Sequence, residues 1–184
     1  MQKIDLSRYN HVVFLNLNLR LKYALWLLAS NFFFLTNIPY PNFLKVTILR
    51  IFGAKIGKVA VIKPWVKIKF PWLLTLGDHV WLGENCWIDN LSSVSIGSHV
   101  CISQSAMLIT GNHDYSKIDF PLLTKPIVIH DGVWVGAKSV VFGGVVLNTH
   151  SVLTLSSVAT KDLEAYTIYQ GNPAVKIKDR LVSA

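Results

Sequence analysis

From Ile56 onward an aliphatic residue returns every six positions, a period that neither a 3.6-residue helix nor a two-residue strand alternation produces. The register runs Ile56, Ile62, Ile68, then Leu76, Leu82, Ile88, then Ile96, Ile102, Leu108; after a long break come Ile129, Val135, Val141, Leu147, Leu153 and Ala159. Four residues further on the side chain is small or β-branched, at Ala60, Val66, Val80, Cys86, Val100, Ala106, Val133, Ser139, Val145, Ser151 and Ser157. Glycine often follows the aliphatic residue, as at Gly57, Gly77, Gly83, Gly97 and Gly136. Such hexads read as short strands joined by tight turns, each sending one large and one small side chain into a narrow interior. An all-β repeat therefore fills most of the chain.

Outside the repeat, composition sets the limits. With 52% hydrophobic and 15% charged residues in 184, the chain has ample core for one domain. Its two cysteines, Cys86 and Cys101, offer neither a disulfide framework nor a zinc ribbon and suit a reducing cytoplasm. A formal charge of +8 favours anionic partners. The basic residues are not interleaved with a nucleic-acid-binding motif, so nucleic acid is not among the partners expected. Residues 1–52 stand apart as a helical cap or membrane-surface segment. Within them the apolar run Tyr23 to Leu35 is shorter than the ~20 residues needed to cross a bilayer. It is either a buried capping helix or an interfacial helix holding Arg20, Lys22, Lys45 and Arg50 near lipid phosphates. Pro39 and Pro41 separate it from a second helical stretch, Asn42 to Phe52.

From about Leu49 to Arg180 the chain resembles the hexapeptide-repeat acyltransferases and, more narrowly, the WcaF-like acetyltransferases of colanic acid biosynthesis, which makes 53–184 the repeat domain. The most specific stretches are FGAKIGK (52–58), TLGDHVWLGEN (75–85), TGNHDY (110–115), KPIVIHDGVWVGA (125–137) and QGNPAVKIKDR (170–180). The resemblance implies a left-handed parallel β-helix with an N-terminal helical segment and a long catalytic loop, three hexads per triangular coil. It also implies a homotrimer with active sites between subunits, and acetyl-CoA as cosubstrate without a metal. Phe142, Asn148, Thr154 and Thr160 depart from the family, where glycine is usual.

Given three hexads per coil, the breaks in spacing carry their own inference. Two extra residues follow Ile68 and Ile88, and fifteen follow Leu108. These breaks come after the third, sixth and ninth hexads, so they stack at one corner of the prism, about 4.8 Å apart per coil. Trp72, then Asp89 and Asn90, then the excursion 109–128 all project there. Long excursions from a rigid repeat are where sites are built.

The excursion carries His113, and in related acetyltransferases the histidine of this segment is the catalytic base. Direct attack by a hydroxyl on a thioester needs such a base, and an imidazole can take the proton at neutral pH and return it to the leaving thiolate. Asp114 or a backbone carbonyl would orient the ring. A backbone N–H of the Val135-Gly136-Ala137 turn is the candidate oxyanion donor. By motif position Gly136 and Ala137 meet the pantetheine arm of CoA, Thr160 and Lys161 its nucleotide end, and Lys178 or Arg180 a phosphate. Asn85, Asp89, Asn90 and Trp72 are the candidate acceptor contacts: carboxylate, amides and an aromatic platform for a sugar. Trp87 and Trp134 point outward. The paired histidines of the β-helical carbonic anhydrases, HxxxxH, are missing.

The function expected is acetyl-CoA-dependent O-acetylation of a sugar hydroxyl in surface polysaccharide biosynthesis, in the cytoplasm or peripherally at the inner membrane surface. The alternatives are acetylation of an antibiotic or other small alcohol, and a non-catalytic β-helix scaffold or ligand-binding module.

Overall fold

A computed structural model describes residues 3–10 and 16–183. From Lys55 the chain winds as a parallel β-helix of three faces, each hexad supplying a strand of two or three residues. The first face stacks Lys55–Ile56, Leu74–Leu76, Val94–Ile96, Ile127–Ile129 and Val146–Leu147. The second stacks Val61–Ile62, Trp81–Leu82, Cys101–Ile102, Trp134–Val135 and Val152–Leu153. The third stacks Lys67–Ile68, Trp87–Asp89, Met107–Ile109, Val140–Phe142 and Val158–Ala159. Register follows the hexads: Ile56, Leu76, Ile96, Ile129 and Leu147 form one column, and Ile68, Ile88, Leu108, Val141 and Ala159 another. All fifteen large hexad positions are at most 9% exposed, and the eleven small ones are buried beside them. The core is thus a stack of identical layers, each coil closing over the aliphatic side chains of the one before.

The turns explain where glycine is needed. The left-handed backbone falls on His79 (φ 56°), Asn85 (φ 58°), His99 (φ 58°) and Lys138 (φ 59°), not on the glycine that follows each aliphatic residue. That glycine is required by close approach instead. A Cβ on Gly77 would stand 2.7 Å from the Gly97 carbonyl carbon of the next coil, and one on Gly136 2.5 Å from the Leu155 nitrogen. The four departures from the family pattern fit this reason. Asn148 and Thr154 lie in the last full coil, where only the closing segment follows, and Phe142 and Thr160 lie at the corner after the third face. Lys69, Asp89 and Ile109 occupy that corner without glycine as well.

The open N-terminal end of such a stack presents unpaired strand edges, and two helices cover it. Helix α1 (Leu17–Phe33) is N-capped by Asn16, whose side chain accepts from the Asn18 N–H; α2 (Asn42–Ile51) starts after Pro41. Trp26 Nε1 donates to the Ile68 carbonyl, Lys45 Nζ to the Ile62 carbonyl, and the Asn42 side chain accepts from the Ile62 N–H. Trp26, Phe34 and Leu49 plug the interior. Lys45 is therefore fully inside, 2% exposed, and not near lipid phosphates as its position beside Arg50 suggests from sequence. Desolvation, with Lys63 nearby, pushes its ammonium below the ordinary lysine pKa. At the other end the antiparallel strands Thr167–Gly171 and Ala174–Asp179 close the second face.

Candidate active site

The three spacing breaks do stack. Each runs from the third face to the first: 69–73, 90–93 and 110–126. Asp89 pairs with Ile109 across the third face, which sets it one coil below the root of the long excursion. The excursion leaves the corner as a hairpin, Gly111–His113 against Leu122–Thr124, with His113 opposite Leu122. A cleft of about 230 Å³ opens at its root, lined by Thr110, Asn112, Leu123, Lys125, Phe142 and Gly143.

His113 is half-buried at the end of the first hairpin strand, its imidazole stacked on the Phe120 ring at 4.3 Å between centroids. Its Nδ1 lies 3.0 Å from the Phe120 carbonyl oxygen. A carbonyl can only accept, so Nδ1 carries a proton toward it, and in the neutral tautomer so selected the lone pair is on Nε2. The ring is oriented by a backbone group. Asp114, the other orienting candidate, turns away: its carboxylate accepts from the N–H and hydroxyl of Ser116 and pairs with Lys117. Those Ser116 hydrogen bonds hold its carboxyl below the usual range.

Two residues beside the imidazole carry no signal in the sequence. Phe120 reaches it only because the hairpin register sets 113 opposite 122. Tyr9 arrives from the N-terminal segment, 5.6 Å from the imidazole between ring centroids, that segment being tied to the loop by Asp5 N–H donating to the Ile118 carbonyl at 2.9 Å.

Of the acceptor candidates at this corner, Asp89 remains partly exposed, its carboxylate 2.9 Å from Lys69 Nζ. Asn90 does not reach the surface. It is fully buried, its amide accepting from the Phe70 N–H at 2.9 Å and donating to the Phe70 carbonyl at 2.7 Å. Trp72 is likewise engaged internally: its ring stacks on Phe70 at 5.0 Å and lies under the Lys22 ammonium at 4.8 Å. Both take part in the packing of the corner and the helical cap; Asn90, with no exposed surface, drops out of the acceptor set, while Trp72 stays half-buried.

Asn85, Gly136 and Ala137 occupy a different corner, between the second and third faces. Asn85 is exposed in its left-handed turn. Gly136 is buried and its N–H donates to the Leu153 carbonyl at 2.7 Å, so of this turn the Ala137 N–H is the donor available to an oxyanion. Thr160 and Lys161 are exposed at the His113 corner, just past Val158–Ala159 on the third face. Lys178 is exposed on the closing hairpin without an ion pair among the described residues, whereas Lys176 pairs with Glu164 and Asp179. Arg180 donates to the Gly132 and His150 carbonyls and braces the last coils.

Neither cysteine is poised for nucleophilic work. Burial pushes the Cys86 thiol up to about 12, and raises that of Cys101 as well. Trp87 and Trp134 do face outward. Among the described residues no group of three His, Cys, Asp or Glu side chains could hold a metal ion.

No protein-family model matches the chain. Over 134 residues it is 42% identical to the WcaF protein of Escherichia coli K12, assigned to acetyl transfer in colanic acid biosynthesis; the match covers 73% of this chain and 74% of that one. A maltose O-acetyltransferase from Clostridium difficile 630 superimposes with a TM-score of 0.83 at 20% identity, over 91% of this chain and 90% of that one. A hexapeptide-repeat acetyltransferase from Vibrio cholerae O1 biovar eltor, solved with acetyl-CoA, does so at 0.73 with 27% identity, over 79% and 81%. The fold is the left-handed parallel β-helix of these acetyltransferases.

Proposed function

The chain belongs to the hexapeptide-repeat acetyltransferases, and from that premise we propose that it moves acetyl from acetyl-CoA to a sugar hydroxyl, with His113 as the general base. The observation that carries this reading is the pinned imidazole: Nδ1–H spent on the Phe120 carbonyl, Nε2 left to accept, on the long loop of the repeat. Nε2 takes the hydroxyl proton as the oxygen attacks the thioester carbon. The tetrahedral adduct collapses with loss of the CoA thiolate, which recovers the proton from the imidazolium. The Ala137 N–H supports the oxyanion.

Within one subunit His113 and Ala137 lie at different corners, so a single chain does not gather the site. A homotrimer reconciles them. If the corner bearing Asn85 and Ala137 of one copy faces the His113 loop of the next, three such contacts close a ring. Asn85 and Asp89 then meet the acceptor, and Thr160, Lys161 and Lys178 the nucleotide end of CoA. The colanic acid role of the WcaF relative supports a surface-polysaccharide acceptor.

The test is thiol release from acetyl-CoA in the presence of nucleotide-linked, lipid-linked and free sugars, with the acetylated product identified by mass. CoA binding without turnover on any sugar or small alcohol would leave a scaffold or binding module instead. For the donor site, Lys161→Ala and Lys178→Ala are each expected to raise KM for acetyl-CoA roughly fivefold, the worth of about 1 kcal/mol at an exposed phosphate contact. The KM for the acceptor should hold. Unchanged CoA affinity by calorimetry would reject these two contacts.

A further inference from the structure

Helix α1 is apolar on both sides, and the β-helix uses only one of them. Trp26 and Ser30 are buried, with Tyr23, Ala29 and Phe33 packed against the core. On the other side Leu17, Leu21, Leu25, Leu28 and Phe32, spaced four, four, three and four residues apart, are 51–78% exposed. That spacing lines one stripe along the whole helix, about 25 Å long. A helix that is hydrophobic all round either lies in a core or meets lipid. No helix among the described residues is long and apolar enough to cross a membrane, so this one would lie flat.

Charge selects the partner. The first 77 residues hold eleven lysines and arginines against one carboxylate, Asp5, while the remaining 107 hold seven against nine acidic residues. The positive charge is therefore concentrated in the helices and first coil. Arg50 donates to the Ile56 and Gly57 carbonyls, and Lys22 sits over the Trp72 ring. None of those partners neutralises the cation. Further exposed positive charge comes from Lys55, Lys58 and Lys67 on the first coil.

We propose that the outer stripe of α1 seats this protein on an anionic lipid bilayer, with the stripe at the level of the acyl chains and the basic end of the molecule toward the headgroups. The proposal does not depend on the acetyl-transfer reading. It is tested by flotation of the full chain with vesicles of phosphatidylcholine containing phosphatidylglycerol, and with phosphatidylcholine alone. Wild type should float with the anionic vesicles, less with the neutral ones, and less again in 0.5 M salt. The double variant Leu25→Glu, Phe32→Glu, and separately the milder Leu28→Ser, should keep the wild-type thermal midpoint, since these side chains face solvent. The double variant should lose binding by at least about tenfold and Leu28→Ser by a smaller factor. Wild type left with the unbound fraction, or a double variant that floats like wild type, would overturn the proposal. So would a stripe variant that falls to a smaller oligomer in size-exclusion chromatography while wild type ignores vesicles, because the stripe would then be a contact between copies.

Discussion

Replacing His113 by alanine is expected to lower kcat for acetyl transfer by roughly 10² to 10⁴, the range general-base catalysis supplies, while CoA affinity and the thermal midpoint stay close to wild type. The sparing of stability follows from where the residue sits. Its hairpin projects beyond the stacked layers, and its contacts are the Phe120 ring, the Phe120 carbonyl and Tyr9, none of them in the buried core. Asp114→Ala makes the internal comparison. Its carboxylate closes the Ser116 turn and does not touch the imidazole, so a loss of less than about tenfold is expected. Stopped assays of thiol release under saturating acetyl-CoA, with circular dichroism and calorimetry on each variant, separate these effects. A His113→Ala enzyme turning over at more than half the wild-type rate would refute the mechanism. An Asp114→Ala loss equal to that of His113→Ala would move the orienting role from the carbonyl to the carboxylate.

What the sequence discloses here is what repeats. The columns Ile56 to Leu147 and Ile68 to Ala159 are legible because the same choice is made at every coil, and the stacking of the three breaks follows from counting hexads. A single residue has no such redundancy. The pair Asp89 and Asn90 reads as an ordinary polar turn, yet one side chain faces Lys69 at the surface and the other is wholly inside. Lys45 and Arg50 look like two cations of one helix face, but the edge of the first coil presents carbonyls that claim both. Trp72 offers an aromatic platform by type, and only the packing of α1 shows that its ring is already engaged. The orienting carbonyl of Phe120 is invisible to any reading by residue type, since every residue has one. Fold thus comes from pattern, whereas the partners of each polar group come from which backbone atoms the pattern leaves unpaired.

Asn90 puts that distinction to a quantitative test, because its buried amide pairs with backbone groups of Phe70 at the corner. At the irregular corner the Asn90 side chain offers Phe70 both halves of a peptide group, acceptor to its N–H and donor to a carbonyl that also accepts from the Leu73 N–H at 3.0 Å. Asn90→Ala would take away the acceptor that the buried Phe70 N–H uses and one of two donors to the Phe70 carbonyl, which keeps the Leu73 N–H; a buried backbone group that loses its hydrogen bond costs about 1–3 kcal/mol. A loss of roughly 1–3 kcal/mol is expected, a sizeable share of the 5–15 kcal/mol by which ordinary domains are stable. At ~2–4 °C per kcal/mol for a chain of this size, the thermal midpoint should fall by about 2–12 °C, measured at matched protein concentration so that any oligomer contributes equally. Asn90→Asp keeps the volume but turns the donor into an acceptor facing the Phe70 carbonyl, so it should be at least as damaging. Assayed well below both midpoints, Asn90→Ala should retain the wild-type KM for the acceptor to within about twofold, because a fully buried amide has no surface to offer a sugar. A raised acceptor KM at an unchanged midpoint would return Asn90 to the binding site and refute its role as a brace.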